Sequence, residues 1–259
     1  MEYRKKVLAL IAAVRFCFSL LSTDIVGKND LWSKAVEFER QTKEAGIMPQ
    51  TMVMTNIIKN KSGKVEESSE MKMKMVEKED KIETEIVSVI ENGKDVTAEA
   101  KKEAEKNKKE SESSKKDDTS ITFSFGESPF DPDVQKNLIF KYESDTILYG
   151  NQVSVFTFTE KSEDGKSTTK GKTYLDSLTG MPLKVESSTE PLPRFVKKIA
   201  VTVNYSKSED GYVIPSTAIV EGEGGFLFMK YFSESKITFS DYKISSILKK
   251  KQSENKKSS

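Results

Sequence analysis

The chain has 259 residues, with 42 Lys and Arg against 41 Asp and Glu, a net charge of +1. That balance leaves no overall field to attract nucleic acid. There is no histidine and a single cysteine, Cys17, which removes the usual general base, Ser-His and Cys-His nucleophile pairs and every His-containing zinc site.

Arg4, Lys5 and Lys6 precede an apolar run from Val7 to Val14 that resumes from Phe16 to Leu21. A positive segment ahead of a short apolar run is the pattern of an export leader, expected over residues 1–22. Arg15 interrupts the run and no A-x-A site follows, so an uncleaved anchor and lipidation of Cys17 stand as alternatives. Asn29 and Asp30 are good helix N-caps. Leu31, Trp32, Ala35, Val36 and Phe38 then recur at helical spacing until Gly46 and Pro49 end an amphipathic helix of about four turns.

From Thr51 the period changes to two. Strands are expected over 51–58, 70–76 and 82–90, with Met71, Met73 and Met75 on one face and Lys72 and Lys74 on the other. An Asn92-Gly93 pair turns the chain. A second helix of Ala, Glu and Lys follows from 98 to about 110. It has no apolar face to dock, so residues 98–118 are expected to form an exposed charged insertion. Further strands are expected at 121–125, 138–142, 146–149, 152–159, 170–175, 182–187, 199–205, 212–220, 226–232 and 236–244. Turns fall at 163–166, 176–180, 208–211 and 221–225. The spacing of these turns is that of an antiparallel meander. Lys249 to Ser259 reads as a disordered Lys-rich tail.

No catalytic signature appears. Asp131, Asp133 and Asp145 lack the spacing and turn glycine of an EF-hand. The glycines at 222, 224 and 225 lie between strands rather than ahead of a helix, so they form no phosphate cradle. No G-x-S-x-G is present. The expectation is a binding protein without enzyme activity, cofactor or metal. One helix with an apolar face cannot cover ten or more strands, so the sheet must close, form a sandwich or curl around a ligand-sized space. Flexible Met on its strands suits variable apolar ligands.

The run Thr173-Tyr174-Leu175-Asp176-Ser177-Leu178-Thr179-Gly180-Met181-Pro182-Leu183-Lys184-Val185-Glu186 resembles a hairpin of the periplasmic lipoprotein-localisation carriers. So do Gly211-Tyr212-Val213-Ile214-Pro215 and the closing segment Ile237 to Ile244, as does the order of leader, helix and strands. In the hairpin Asp176 would cap the turn, Gly180 would take a positive φ and Pro182 would start the next strand where its missing N–H is harmless. The resemblance covers roughly 137–245 well and 29–91 by pattern. It implies a mainly β domain over 23–248: a curved antiparallel sheet forming an incomplete β-barrel, with an N-terminal helix and a short charged second helix. It implies a hydrophobic cavity lined by Trp32, Phe38, Met73, Phe156, Phe158, Leu183 and Phe228. The implied function is a periplasmic carrier of lipid or lipoprotein acyl chains to the outer membrane. A monomer is expected, with an envelope membrane protein as a further partner. The alternative is a non-transporting envelope sensor or scaffold of the same fold. Two departures stand out: the 98–118 insertion replaces an expected lid helix, and the four Arg, at 4, 15, 40 and 194, offer no counterpart to the carriers' cavity-gating Arg.

Overall fold

The computed structural model describes residues 28–113, 128–162, 164–226 and 229–250. The expected leader with Cys17, the strand through Phe123 and Phe125, and residues 251–259 of the tail lie outside these, as does Phe228.

Helix α1 spans 28–45. Its apolar stripe is Leu31, Trp32 and Ala35, all buried, while Ser33, Lys34 and Arg40 face solvent. This is the one-sided pattern of a helix docked on a sheet. Gly46 ends the helix with φ +68°. A Cβ there would lie 2.9 Å from the Lys249 backbone nitrogen, and the Ser245 N–H donates to the Gly46 carbonyl at 2.8 Å.

 Helix α2 is Thr97–Ser113, and α3 is the C-terminal helical turn 246–250. The C-terminal turn closes against the same glycine that ends α1.

The strands are β1 (Ile47–Asn60), β2 (Val65–Lys78), β3 (Lys81–Glu91), β4 (Lys94–Asp95), β5 (Leu138–Leu148), β6 (Asn151–Lys161), β7 (Thr168–Asp176), β8 (Pro182–Glu190), β9 (Val196–Lys207), β10 (Val213–Phe226) and β11 (Met229–Ile244). They form one antiparallel sheet in the order β4-β3-β2-β1-β11-β10-β9-β8-β7-β6-β5. The sheet is open, with β4 and β5 at opposite edges. Two meanders meet where β1 pairs with β11 from Ile47↔Ile244 to Asn60↔Tyr231. In sequence, residues 96–137 separate β4 at one edge from β5 at the other, and α2 lies at their start. Helix α2 runs from Thr97 rather than 98, with the Thr97 N–H capped by Asp95 Oδ1 at 2.9 Å. Its side chains as far as residue 107 are exposed apart from the half-buried Thr97 and Ala100.

Three expectations change. Strand β1 begins at Ile47, so Pro49 lies within a strand rather than after a helix. The two strands expected at 138–142 and 146–149 are one, β5, carried past its charged middle by a bulge at Glu143, whose carboxylate pairs with Lys172 at 2.8 Å. The turn expected at 221–225 is also strand. Gly222 and Gly224 pair with Ser233 and Tyr231, and β11 is one strand rather than two. A Cβ on Gly222 would lie 2.5 Å from Ser233 Oγ, and one on Gly224 would lie 2.7 Å from the Tyr231 hydroxyl. These glycines make room for side chains laid across them, a strand use of Gly rather than a turn use.

The 176–180 turn forms as its residues require. Asp176 Oδ1 accepts from the N–H of Leu178 and Thr179 and from the Thr179 hydroxyl, at 2.8 to 3.1 Å. Gly180 has φ +75°, and Pro182 opens β8. The turn also docks beneath α1. A Cβ on Gly180 would lie 2.8 Å from Lys34 Cβ and 2.9 Å from the Leu31 carbonyl. Gly150 has φ +80° with nothing within 4 Å. Gly150→Ala should therefore cost only the left-handed penalty, about 1–2 kcal/mol. Gly180→Ala should cost a further ~1–3 kcal/mol from crowding. Urea unfolding of the two variants checks the difference.

Candidate ligand-binding face

Strand register places one line of side chains across almost the whole sheet. From β3 to β5 it runs Val89, Met71, Met54, Ile237, Ala218, Val203, Val185, Thr173, Phe156 and Tyr142, each directly opposite the next. Directly paired residues share a face, so this line belongs to one face, the one on which α1 lies. Except for Thr173 and the Tyr142 hydroxyl it is apolar. A neighbouring line runs Ser69, Asn56, Ser235, Val220, Val201, Ser187, Gly171, Phe158 and Phe140. The aromatic residues of both lines gather at the β5–β6 end.

Helix α1 covers the aromatic end. Leu31, Trp32 and Ala35 form one buried cluster with Phe130, Phe156, Phe158, Leu175 and Val185, flanked by Leu138, Phe140, Tyr142 and Tyr205. Trp32 is 2% exposed and stacks on Phe140, with centroids 4.3 Å apart and planes 2° from parallel. Phe130 and Phe156 meet the same indole at 5.2 and 5.8 Å. Its Nε1–H donates to Gln135 Oε1 at 3.1 Å, and the Gln135 amide in turn donates to the carbonyls of Pro129 and Asp131. Gly171 lies beneath Phe158, whose ring would stand 2.5 Å from a Cβ there. The space is filled by rings in contact.

Charged groups hold α1 at both ends. Lys28 Nζ donates to Asp145 Oδ1 and Oδ2 at 2.7 and 2.9 Å and to Ser154 Oγ at 2.9 Å, and lies 5.1 Å from the Tyr142 ring centre. Ser154, fully buried, also donates to Asp145 at 2.7 Å and meets Ser177 at 3.0 Å. Burial opposes ionisation of Asp145, but the hydrogen bonds from Lys28 and Ser154 outweigh it and hold the carboxyl below its ordinary value. At the other end Lys43 bridges Asp131 and Asp133 at 3.0 and 2.9 Å, and the Thr42 hydroxyl donates to the Val213 carbonyl at 2.9 Å. Beside them Glu39 accepts from Ser128 Oγ at 3.3 Å. Burial and then the Asp131 charge push the Glu39 carboxyl above its ordinary value.

Of the residues expected to line a cavity, Trp32, Phe156 and Phe158 meet in the packed cluster. Phe38 is half-buried on α1, and Leu183 is half-buried at the β-bulge that opens β8. Met73 is buried far along the sheet, opposite Met52 on β1 and Ile86 on β3. Phe228 lies outside the described residues. Beyond the cluster, Met54, Met71 and Val203 of the apolar line and Val201 and Val220 beside it are half-buried, while Ala218, Ile237 and Val89 of the same line are buried. Sequence reasoning missed Phe130, which sits between two prolines and reads as loop, and Lys28 with its distant partners. Two small open cavities lie away from this face. One of about 220 Å³ is lined by Ile57, Lys59, Lys198, Glu221 and Phe232, and one of about 570 Å³ by Lys166, Lys170, Glu190 and Leu192.

No family model matches the chain, and no curated protein matches it. Among solved structures, an outer membrane lipoprotein-sorting protein domain from Vibrio parahaemolyticus is 17% identical, with 83% of this chain and 94% of that one covered, at a TM-score of 0.40. A DUF1329 family protein from Desulfovibrio piger is 12% identical, with coverage of 84% and 93% and a TM-score of 0.36. The Pseudomonas aeruginosa MucA/MucB complex is matched at 10% identity, with coverage of 82% and 99% and a TM-score of 0.22. The first is of the class that the 173–186 hairpin resembles. No helix among the described residues is long and apolar enough to cross a membrane.

Two consequences are measurable. Phe156, fully buried among rings, should cost about 3–5 kcal/mol when replaced by Ala, read by denaturant unfolding. Glu39→Gln acts through pH. A carboxyl raised in the folded state costs stability wherever it is ionised, above its unfolded value of about 4.3, and costs nothing below it. Glu39→Gln should therefore be more stable than wild type at neutral pH, with the gain fading as pH falls through about 4 in a pH series of thermal melts.

Proposed function

We propose that this protein binds acyl chains of lipids or lipoproteins along the part of the sheet face that extends beyond α1 and carries them through the periplasm towards the outer membrane. The observation that carries the reading is the apolar line. It continues past the edge of the α1 cluster through half-buried Val203, Met54 and Met71, with buried Ala218, Ile237 and Val89 between and beyond them and half-buried Val201 and Val220 alongside. A run of apolar side chains wider than its covering helix is a surface that gains by burial. Unbranched Met adapts to chains of different length and curvature. The leader pattern supports export, and the absence of histidine supports binding over catalysis.

Burying one methylene is worth ~0.8 kcal/mol, about fourfold in affinity. Affinity for fluorescent fatty-acyl probes should therefore rise steeply with chain length. Met54→Glu and Met71→Glu should each weaken binding at least about tenfold, since a carboxylate on an apolar contact must be desolvated. Neither position is fully buried, so the variants should keep wild-type circular dichroism. Affinity independent of chain length and of both substitutions would overturn the reading.

A further inference from the structure

One residue of the apolar line is polar. Thr173 is fully buried, and its Oγ1 has no hydrogen-bond partner. It sits between Phe156 and Val185, both in the cluster beneath α1, and its own strand continues into buried Leu175. A buried hydroxyl without a partner is costly to keep, whereas valine has nearly the same shape and no such cost. Nothing in the packing calls for threonine at this point. Resting on the acyl-chain reading above, we propose that the Thr173 hydroxyl is a specificity determinant that receives the carbonyl oxygen of an acyl ester when α1 lifts from the sheet.

The chemistry around Thr173 selects the ester. Its neighbours on the line, Phe156 and Val185, are apolar and belong to the buried cluster with Leu31, Trp32, Ala35 and Leu175. The charges that hold α1, Lys28 and Lys43, are already paired to Asp145 and to Asp131 and Asp133. A carboxylate brought to Thr173 would be desolvated with one neutral donor to stabilise it, an unfavourable exchange. An ester carbonyl needs only one donor, which the hydroxyl supplies. The site therefore favours an ester-linked acyl chain over a free fatty acid. The tail continues along the same line of residues, from Val185 through Val203 to Ala218, at about 4.8 Å per strand. Entry displaces Trp32, the sole tryptophan, so its emission reports occupancy.

The test compares hexadecane, palmitate and methyl palmitate, each delivered from cyclodextrin and read by Trp32 emission, on wild type, Thr173→Val and Thr173→Ser. Wild type should bind methyl palmitate more tightly than palmitate or hexadecane. Thr173→Val should lose about fivefold for the ester, the worth of one neutral hydrogen bond, and nothing for hexadecane. Thr173→Ser should restore the ester preference. Thr173→Val should also melt higher than wild type, as removal of an unpaired buried hydroxyl requires. Equal loss for ester and hydrocarbon, no loss for either, or a preference for palmitate would overturn the assignment while leaving acyl binding standing. Failure of all three probes to bind wild type would overturn both.

Discussion

The stack of Trp32 on Phe140 decides how this molecule presents its sheet. An open sheet of eleven strands offers far more apolar face than one helix can cover. The indole places that helix over β5 to β9, where the rings of Phe130, Phe156 and Phe158 complete a close-packed cluster. Because a stacked aromatic contributes large buried area and a defined geometry together, its position sets where cover ends. What remains beyond it, from Val203 to Met54 and Met71, is the face on which the functional reading depends.

Polar contacts restrict α1 without driving its docking. Lys28 binds Asp145 and Ser154 at one end, and Lys43 bridges Asp131 and Asp133 at the other. Partly exposed ion pairs of this kind are worth little individually, and the buried ring cluster supplies most of the stabilisation. Glu39, buried beside Asp131 with its carboxyl raised, works against docking when ionised. Lifting α1 from the sheet would expose Leu31, Trp32 and Ala35 together, so the cost of opening is set by that apolar stripe rather than by the charges at its ends.

The local parts of the fold were legible in the sequence. Asp176, Gly180 and Pro182 specify a turn by backbone conformation and capping alone, and Met71, Met73 and Met75 declare a face by alternation. Long-range pairings left no such trace. Nothing in β1 or β11 announces that they join the two meanders across nearly the length of the chain. Gly222 and Gly224 read as a turn because glycine permits one. Their role is set by Ser233 and Tyr231 on the next strand, which periodicity cannot reveal. At the candidate site Trp32, Phe156 and Phe158 were visible as apolar strand and helix positions. Their convergence with Phe130 depends on a loop folding back, and Thr173 becomes unusual only once its surroundings are known.

The central claim is that the part of the sheet face left open by α1 holds an acyl chain. Crystals of the protein with a chain-brominated acyl ester test it most directly, since the bromine's anomalous signal locates the chain. The account places bromine within contact distance, about 4 Å, of Met54, Met71 or Val203. Bromine found only on the opposite face of the sheet, or no ordered bromine at saturating ester, would contradict it.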